Sequence, residues 1–452
     1  MTDFDLLVQW GVLIVASLFM LVRGQLTIFH PSSIYLTFHA IVFCARPTFV
    51  KYFEFDTVFK YMRIEPDAEV LRETLWVTSA ALIIFIICFS IATNSRGIRD
   101  FSGSFQMNKD LRKSFLITSV LFLPLGLYSI FFANQRVEWV GNVAIMAGTS
   151  GYVNDAQNVL IPICILFLVL FRWKLWSFLP FFIFSYYRAT QGYGRWSVIL
   201  PFLAVVMFYC WTKRKDLPPI RWLIPVPFLF IIFNQLSHSR TYIRDLFVES
   251  GQESSIVETV DNYEDEQYAF KRQWDTLDFA NYDFLAFIVE KVPEESGRYT
   301  HGVQHLQIFT EPIPRKLWKN KPIGAPIQYF DLNDYGNFLG TTMSIVGDGW
   351  MTGGWIGVLI NMSIAGFGLG FFYNWFINDQ TNIFKVSFFI ITNSVLLQMF
   401  RDGGIVTIAK FMLFTQMPVI FWWGLYKLTS RAESREIYNE STYSDEFSQE
   451  YR

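Results

Sequence analysis

The side chains best suited to chemistry in this 452-residue chain are cations set among glycines and prolines, together with a few proton carriers. Between Glu311 and Pro322 run Arg315, Lys316, Lys319 and Lys321, with Trp318 among them and Pro312, Pro314 and Pro322 stiffening the backbone. Arg188 and Arg195 flank Thr-Gln-Gly-Tyr-Gly; Arg240 and Arg244 are four apart and share a face if helical; Arg401 opens Arg-Asp-Gly-Gly, and Lys410 lies two helical turns further on. Arginine's planar fork matches phosphate oxygens and resists deprotonation, so a lipid-linked phosphate is the natural ligand for such a set. The competing reading is plain: single arginines at span ends snorkel to headgroups, and Arg401 has Asp402 beside it to pair with.

Group transfer also needs a base. Thr341, Ser344 and Asp348 fall at i, i+3 and i+7, one face of a helix, and Asp348 sits between Gly347 and Gly349, placed to accept a hydroxyl proton. His301 and His305 are a second candidate pair, at i and i+4. Two ligands do not make a zinc site, so proton transfer or a helix surface is the better reading for them. Glu290, Glu294, Glu295 and Glu311 read as solvated charges. No GxxxxGK[ST], HExxH or CxxCH element is present, and no cofactor, metal or nucleic-acid partner is expected.

The elements that must position these residues are membrane spans. A chain that is 52% hydrophobic, 19% aromatic and only 17% charged is too apolar for a soluble protein of this size, and its apolar runs are long enough to cross a bilayer. The expected fold is an all-α polytopic membrane protein with about eleven spans, near 5–22, 32–50, 73–92, 114–133, 157–171, 175–187, 197–212, 220–236, 352–376, 383–400 and 405–427. The fifth and sixth are short and could be one broken hairpin across Arg172-Trp-Lys174. Basic residues gather in alternate loops: 93–113, the turn at Arg172, Lys213-Arg-Lys215 and the tail after Lys427. The positive-inside rule then puts the N-terminus outside, the C-terminus inside and the long loop outside. The first span has no basic n-region and is expected to stay as an anchor. Cys44, Cys88, Cys164 and Cys210 all sit in or beside apolar runs, so no disulfide framework is expected.

Four regions follow: a bundle over 1–236, an exterior loop over 237–350, three spans over 351–428 and a disordered interior tail over 429–452. The loop is acidic from about 245 to 295 and basic from Arg298 to Lys321. Apolar residues at helical spacing over 273–291 predict an amphipathic helix on the membrane surface or on the bundle. Gly349, Gly353, Gly357, Gly366 and Gly370 are small-xxx-small repeats, expected to let helices pack closely.

In these features the chain resembles the Wzy-type polymerases that extend O-antigen and related surface polysaccharides. The resemblance is carried by Ile313-Pro-Arg-Lys-Leu-Trp-Lys-Asn-Lys-Pro322 in the large loop, by Gly192-Tyr-Gly-Arg195, by Arg401-Asp-Gly with Lys410 beyond it, and by Gly347-Asp-Gly-Trp350, where many members have Glu in place of Asp348. It runs over most of the chain and most strongly from about 180 to 412.

The resemblance implies a metal-independent, GT-C-like glycosyltransferase of the bacterial inner membrane, its site facing the periplasm. Its substrates would be undecaprenyl-diphosphate-linked oligosaccharides, held among membrane lipids, with a separate chain-length regulator as a family-level partner. Asp348 or His305 would be the base. Arg401, Arg195, Arg315 and Arg240 would neutralise the departing diphosphate, with Arg188, Arg244, Lys316, Trp318 and Lys410 completing the diphosphate and glycan site. The rival readings are an O-antigen ligase using the same donor, a transporter or lipid flippase, and a sensor or scaffold whose loop binds a partner.

Overall fold

The computed structural model describes residues 2–53, 66–93, 108–132, 137–140, 143–146, 151–190, 196–219, 280–310, 312–313, 317–318 and 342–450. Its helices are α1 (Asp3–Val22), α2 (Pro31–Phe53), α3 (Ala68–Ala92), α4 (Lys109–Phe132), α5 (Leu160–Leu170), α6 (Leu179–Thr190), α7 (Trp196–Thr212), α8 (Asn281–Lys291), α9 (Ser344–Ile377), α10 (Ile383–Asp402) and α11 (Ile405–Glu450). One short antiparallel hairpin, Val137–Val140 with Val143–Met146, is the exception to the helical rule among the described residues.

Seven helices, α1 to α4 and α9 to α11, are long and apolar enough to cross a membrane. The chain is a polytopic helical membrane protein. The expected fifth to seventh spans are shorter helices, and the expected eighth, 220–236, lies outside the described residues. Between α5 and α6 the chain reverses through Arg172 and Trp173, both with left-handed φ near 56°, so these two form a short helical hairpin. The last helix continues to Glu450 through the stretch for which a disordered tail is expected.

Membrane helices need close backbones or shared polar groups to associate, because lipid is as apolar as leucine. Both devices are present. A Cβ on Gly366 would lie 2.8 Å from Phe85 O, and one on Gly370 2.6 Å from Ala92 Cβ, so these glycines let α9 lie directly on α3. Near the middle of the bundle, Gln9 Nε2 donates to Thr78 Oγ1 at 3.0 Å and meets His39 Nε2 at 3.0 Å, joining α1, α2 and α3. The π-helical turn Ala40–Ala45 begins right after His39.

Two features depart from a simple row of spans. The first is inside α9. Gly353 and Gly354 leave helical geometry, Gly354 with φ 59° and ψ −138°, a conformation for glycine alone. The helix therefore breaks into a short arm, 344–352, and a long arm, 355–377, about 35 Å at 1.5 Å per residue. The arms fold against each other, for a Cβ on Gly357 would come within 2.0 Å of Gly349 O. Two members of the glycine ladder thus serve an internal fold-back, and two serve contact with α3.

The second is α8. The sequence allows a helix on the membrane surface or on the bundle, and the helix is buried inside one end of the bundle. Ten of its eleven residues, all but Glu290, are buried. Arg46 donates to Asp283 at 2.9 Å in a fully buried ion pair, and Tyr282 Oη donates to Leu71 O at 2.9 Å. Asn281 Nδ2 reaches Thr342 O at 2.6 Å and Arg401 O at 3.1 Å, tying α8 to the start of α9 and the end of α10.

Candidate active site

The fold-back of α9 builds a buried polar cluster at this end of the molecule. Asp348, one turn into the short arm, is 3% exposed. Its Oδ2 accepts from Asn361 Nδ2 at 3.0 Å and faces His305 Nε2 at 3.1 Å; its Oδ1 accepts from Gln304 Nε2 at 3.2 Å. Asn361 belongs to the long arm, thirteen residues on, and would be about 20 Å from Asp348 on a straight helix. Gln304 is held in turn, because its Nε2 also reaches Thr352 Oγ1 at 2.9 Å.

His305 reaches the carboxylate because the chain before it is docked on the break. The C-terminal carbonyls of the short arm would lack helical partners. They are satisfied here by the loop: Thr300 N donates to Met351 O at 2.9 Å and His301 N to Thr352 O at 3.1 Å. Gly302, at φ 82°, then turns the chain into the 3-10 turn Val303–Leu306. Tyr299 fills the space a side chain on Gly354 would need, its Oη 2.7 Å from a Cβ built there. His301 is exposed with φ 50°, so the two histidines do not share a helix face, and only His305 joins the site.

The carboxylate of Asp348, accepting a hydrogen bond from the ring, raises the pKa of His305 above its ordinary value near 6.5, against the opposing effect of burial. A carboxylate facing Nε2 keeps the proton of the neutral ring there and leaves the Nδ1 lone pair as the basic site. The imidazole side chain is 30% exposed, so the ring is partly open to solvent. Histidine oriented by a buried carboxylate is a general-base arrangement. Among the described residues, no three His, Cys, Asp or Glu side chains gather as a metal-ligand cluster.

The predicted cations divide. Arg195, Arg240, Arg244, Arg315 and Lys316 lie outside the described residues. Trp318 is exposed at the surface. Arg401, mostly buried, has Nη1 3.5 Å from Asp402 Oδ1, the partner the sequence offers it. Its backbone is beside the beginning of α9, where Gly403, at φ 70°, approaches so closely that a Cβ there would be 2.1 Å from Ser344 O. Arg188 is buried and donates to Asn158 Oδ1 at 3.3 Å. Lys410 pairs with Asp155 Oδ2 at 3.1 Å. Arg188 and Lys410 therefore meet one short stretch of chain. That stretch also touches the histidine segment, through a hydrogen bond of 3.5 Å from Tyr152 Oη to Ile308 O.

Sequence reasoning missed Gln304, Asn361, Asn158 and Asp155. Asn361 carried a signal, an amide inside an apolar run. The others had none, since a polar residue in a polar segment is unremarkable until its neighbours are known. In comparisons with protein-family models, curated proteins and solved structures, nothing matches this chain.

Proposed function

We propose that this protein is a bacterial inner-membrane glycosyltransferase of the repeat-unit polymerase kind. It passes a growing glycan from undecaprenyl diphosphate to the terminal sugar of a new lipid-linked unit. The observation that carries the reading is the His305–Asp348 pair, buried on one side, open on the other, and at the same end of the bundle as Arg188, Arg401 and Lys410. The family resemblance supplies the substrate class, the GT-C-like kinship and the periplasmic orientation.

In this mechanism His305 Nδ1 takes the proton of the acceptor hydroxyl as that oxygen attacks the anomeric carbon. The bond from that carbon to the diphosphate oxygen breaks, and undecaprenyl diphosphate leaves with the electron pair. Asp348 stabilises the imidazolium that forms, while Gln304 and Asn361 hold the carboxylate in register. The departing charge needs fixed cations, and removing one such donor costs about 3–4 kcal/mol. Arg401, Arg188 and Lys410 serve here, with Arg195, Arg240, Arg244, Arg315 and Lys316 as further candidates and Trp318 as a face for a sugar ring.

Deletion in the native host, read on a glycan gel, tests the reading. The expected result is surface glycan capped with a single repeat unit in place of a ladder. Complete loss of surface glycan would point to a ligase or flippase, and an unchanged ladder would refute the proposal. Arg401→Ala should insert normally and give single repeats. A normal ladder from it would remove Arg401 from the diphosphate site.

A further inference from the structure

At the opposite end of the bundle lies an open apolar groove of about 490 Å³, within the range of small-ligand pockets. Leu13 of α1, Ile34 and Leu36 of α2, Leu203 and Met207 of α7 and Leu397 of α10 form its walls. Two of the four hydroxyl side chains along it are turned back to the main chain, Thr37 donating to Ser33 O at 2.9 Å and Ser33 to Gln25 O at 3.5 Å, and Ser17 and Thr27 are the other two. The lining therefore offers hydrocarbon and little else.

The groove ends where two chain reversals are stitched together, Ile28 N donating to Asp216 O at 3.0 Å. Both reversals are helix C-termini closed by the same device. Gln25 N bonds Met20 O and Lys215 N bonds Cys210 O, with Gly24 and Arg214 in left-handed conformation. Leu26, Leu217 and Pro218 of these reversals line the groove, and Arg23, Lys213 and Lys215 are their immediate neighbours. Lys213 and Lys215 are exposed, Arg23 is half-buried, and Asp216 is the acid among them. Arg214 is turned aside, donating to Gln380 Oε1 at 2.9 Å.

A groove of this kind at membrane depth is filled by hydrocarbon, and a basic rim selects a negative headgroup. We propose that it binds one anionic phospholipid from the leaflet at this end. An acyl chain lies between α1, α2 and α7, and the phosphate rests against Arg23, Lys213 and Lys215. This site is separate from the His305 cluster, and its test does not depend on any glycan chemistry.

Native mass spectrometry of the full chain in mild detergent, with equal amounts of phosphatidylglycerol and phosphatidylcholine, tests it. Wild-type protein should retain phosphatidylglycerol in clear preference. The triple change Arg23→Gln, Lys213→Gln, Lys215→Gln should lower that retention by about tenfold or more. Thr37→Trp, from an exposed wall position, and Leu203→Trp, from the facing wall, should each displace the lipid while the protein still elutes as a folded monodisperse species. Equal retention of both lipids, no retained lipid on wild type, or unchanged retention in a folded tryptophan variant would each overturn the proposal.

Discussion

At the scale of single residues, the site turns on one carboxylate with three partners from two segments, Gln304 and His305 of the loop and Asn361 of the long arm. His305 gains affinity for its proton from Asp348, so its folded pKa lies above the ordinary value near 6.5. The sign follows from linkage. The pair contributes stability that is fully present below about pH 6.5 and is lost as pH rises through the folded value. The proposed activity runs the other way, because a general base works only when deprotonated. Thermal melts in detergent should therefore fall across that window, while polymer formation in membranes rises across it. In Asp348→Asn the His305 titration, read by ring NMR shifts, should move down, and both pH trends should flatten over the same interval. An unmoved His305 titration would mean that the pair does not form. His305→Gln should insert and, above the folded pKa where the pair's contribution is already lost, melt close to wild type yet give single repeats; a normal ladder would move the base elsewhere.

At the scale of elements, the break in α9 is the decisive piece of geometry. It brings Asn361 to Asp348 and frees the carbonyls that dock the histidine loop. Gly357 is where the arms touch, with no room for even a methyl group against Gly349 O. Gly357→Ala should destabilise the protein by about 1–3 kcal/mol or more, as overpacked backbone contacts do. A lowered melting temperature and a loss of the NMR shift linking His305 to Asp348 would be the readouts. Gly353→Ala is the control for packing, because a Cβ there meets nothing within 4 Å. If Gly357→Ala melts like wild type, the fold-back is not a packed contact. The glycine ladder was legible in the sequence as close packing, but not which glycines served which partner. All five fit one straight helix equally well on paper.

At the scale of the whole molecule, the helix ends sort by charge. Among the described residues, one end carries Arg23, Lys109, Arg112, Lys174, Lys213 and Lys427, while the site end combines pairs such as Arg46 with Asp283 and Lys410 with Asp155 with exposed charges of both signs, among them Asp67, Glu69, Arg72, Glu294 and Arg298. Under the positive-inside rule, the proposed orientation turns the His305 site outward. The four native cysteines are buried, so single added cysteines can report sidedness. Phe309→Cys, 76% exposed beside the site, should react with a membrane-impermeant maleimide in intact spheroplasts. Leu175→Cys, 90% exposed at the other end, should react only after the membrane is opened. The reverse pattern would invert the topology and refute a periplasmic site.

Local sequence determined a good deal. Apolar runs specified a polytopic helical membrane protein, because hydropathy and span length are properties of short segments. Alternating basic loops specified how charge sorts between the two ends. The candidate carboxylate and histidine were legible as residue types near glycine turns. Only the tertiary structure decided that Asp348 and His305 are one unit, that Gln304 and Asn361 complete it, and that α8 is interior. The physical reason is that the meeting of Asp348 with Asn361 and the histidine loop depends on two backbone torsions at Gly353 and Gly354, while α8 is held by residues distant in sequence, such as Arg46 on Asp283. A glycine pair in an apolar run is as compatible with a straight span as with a reversal, until the loop that caps the broken end is in place.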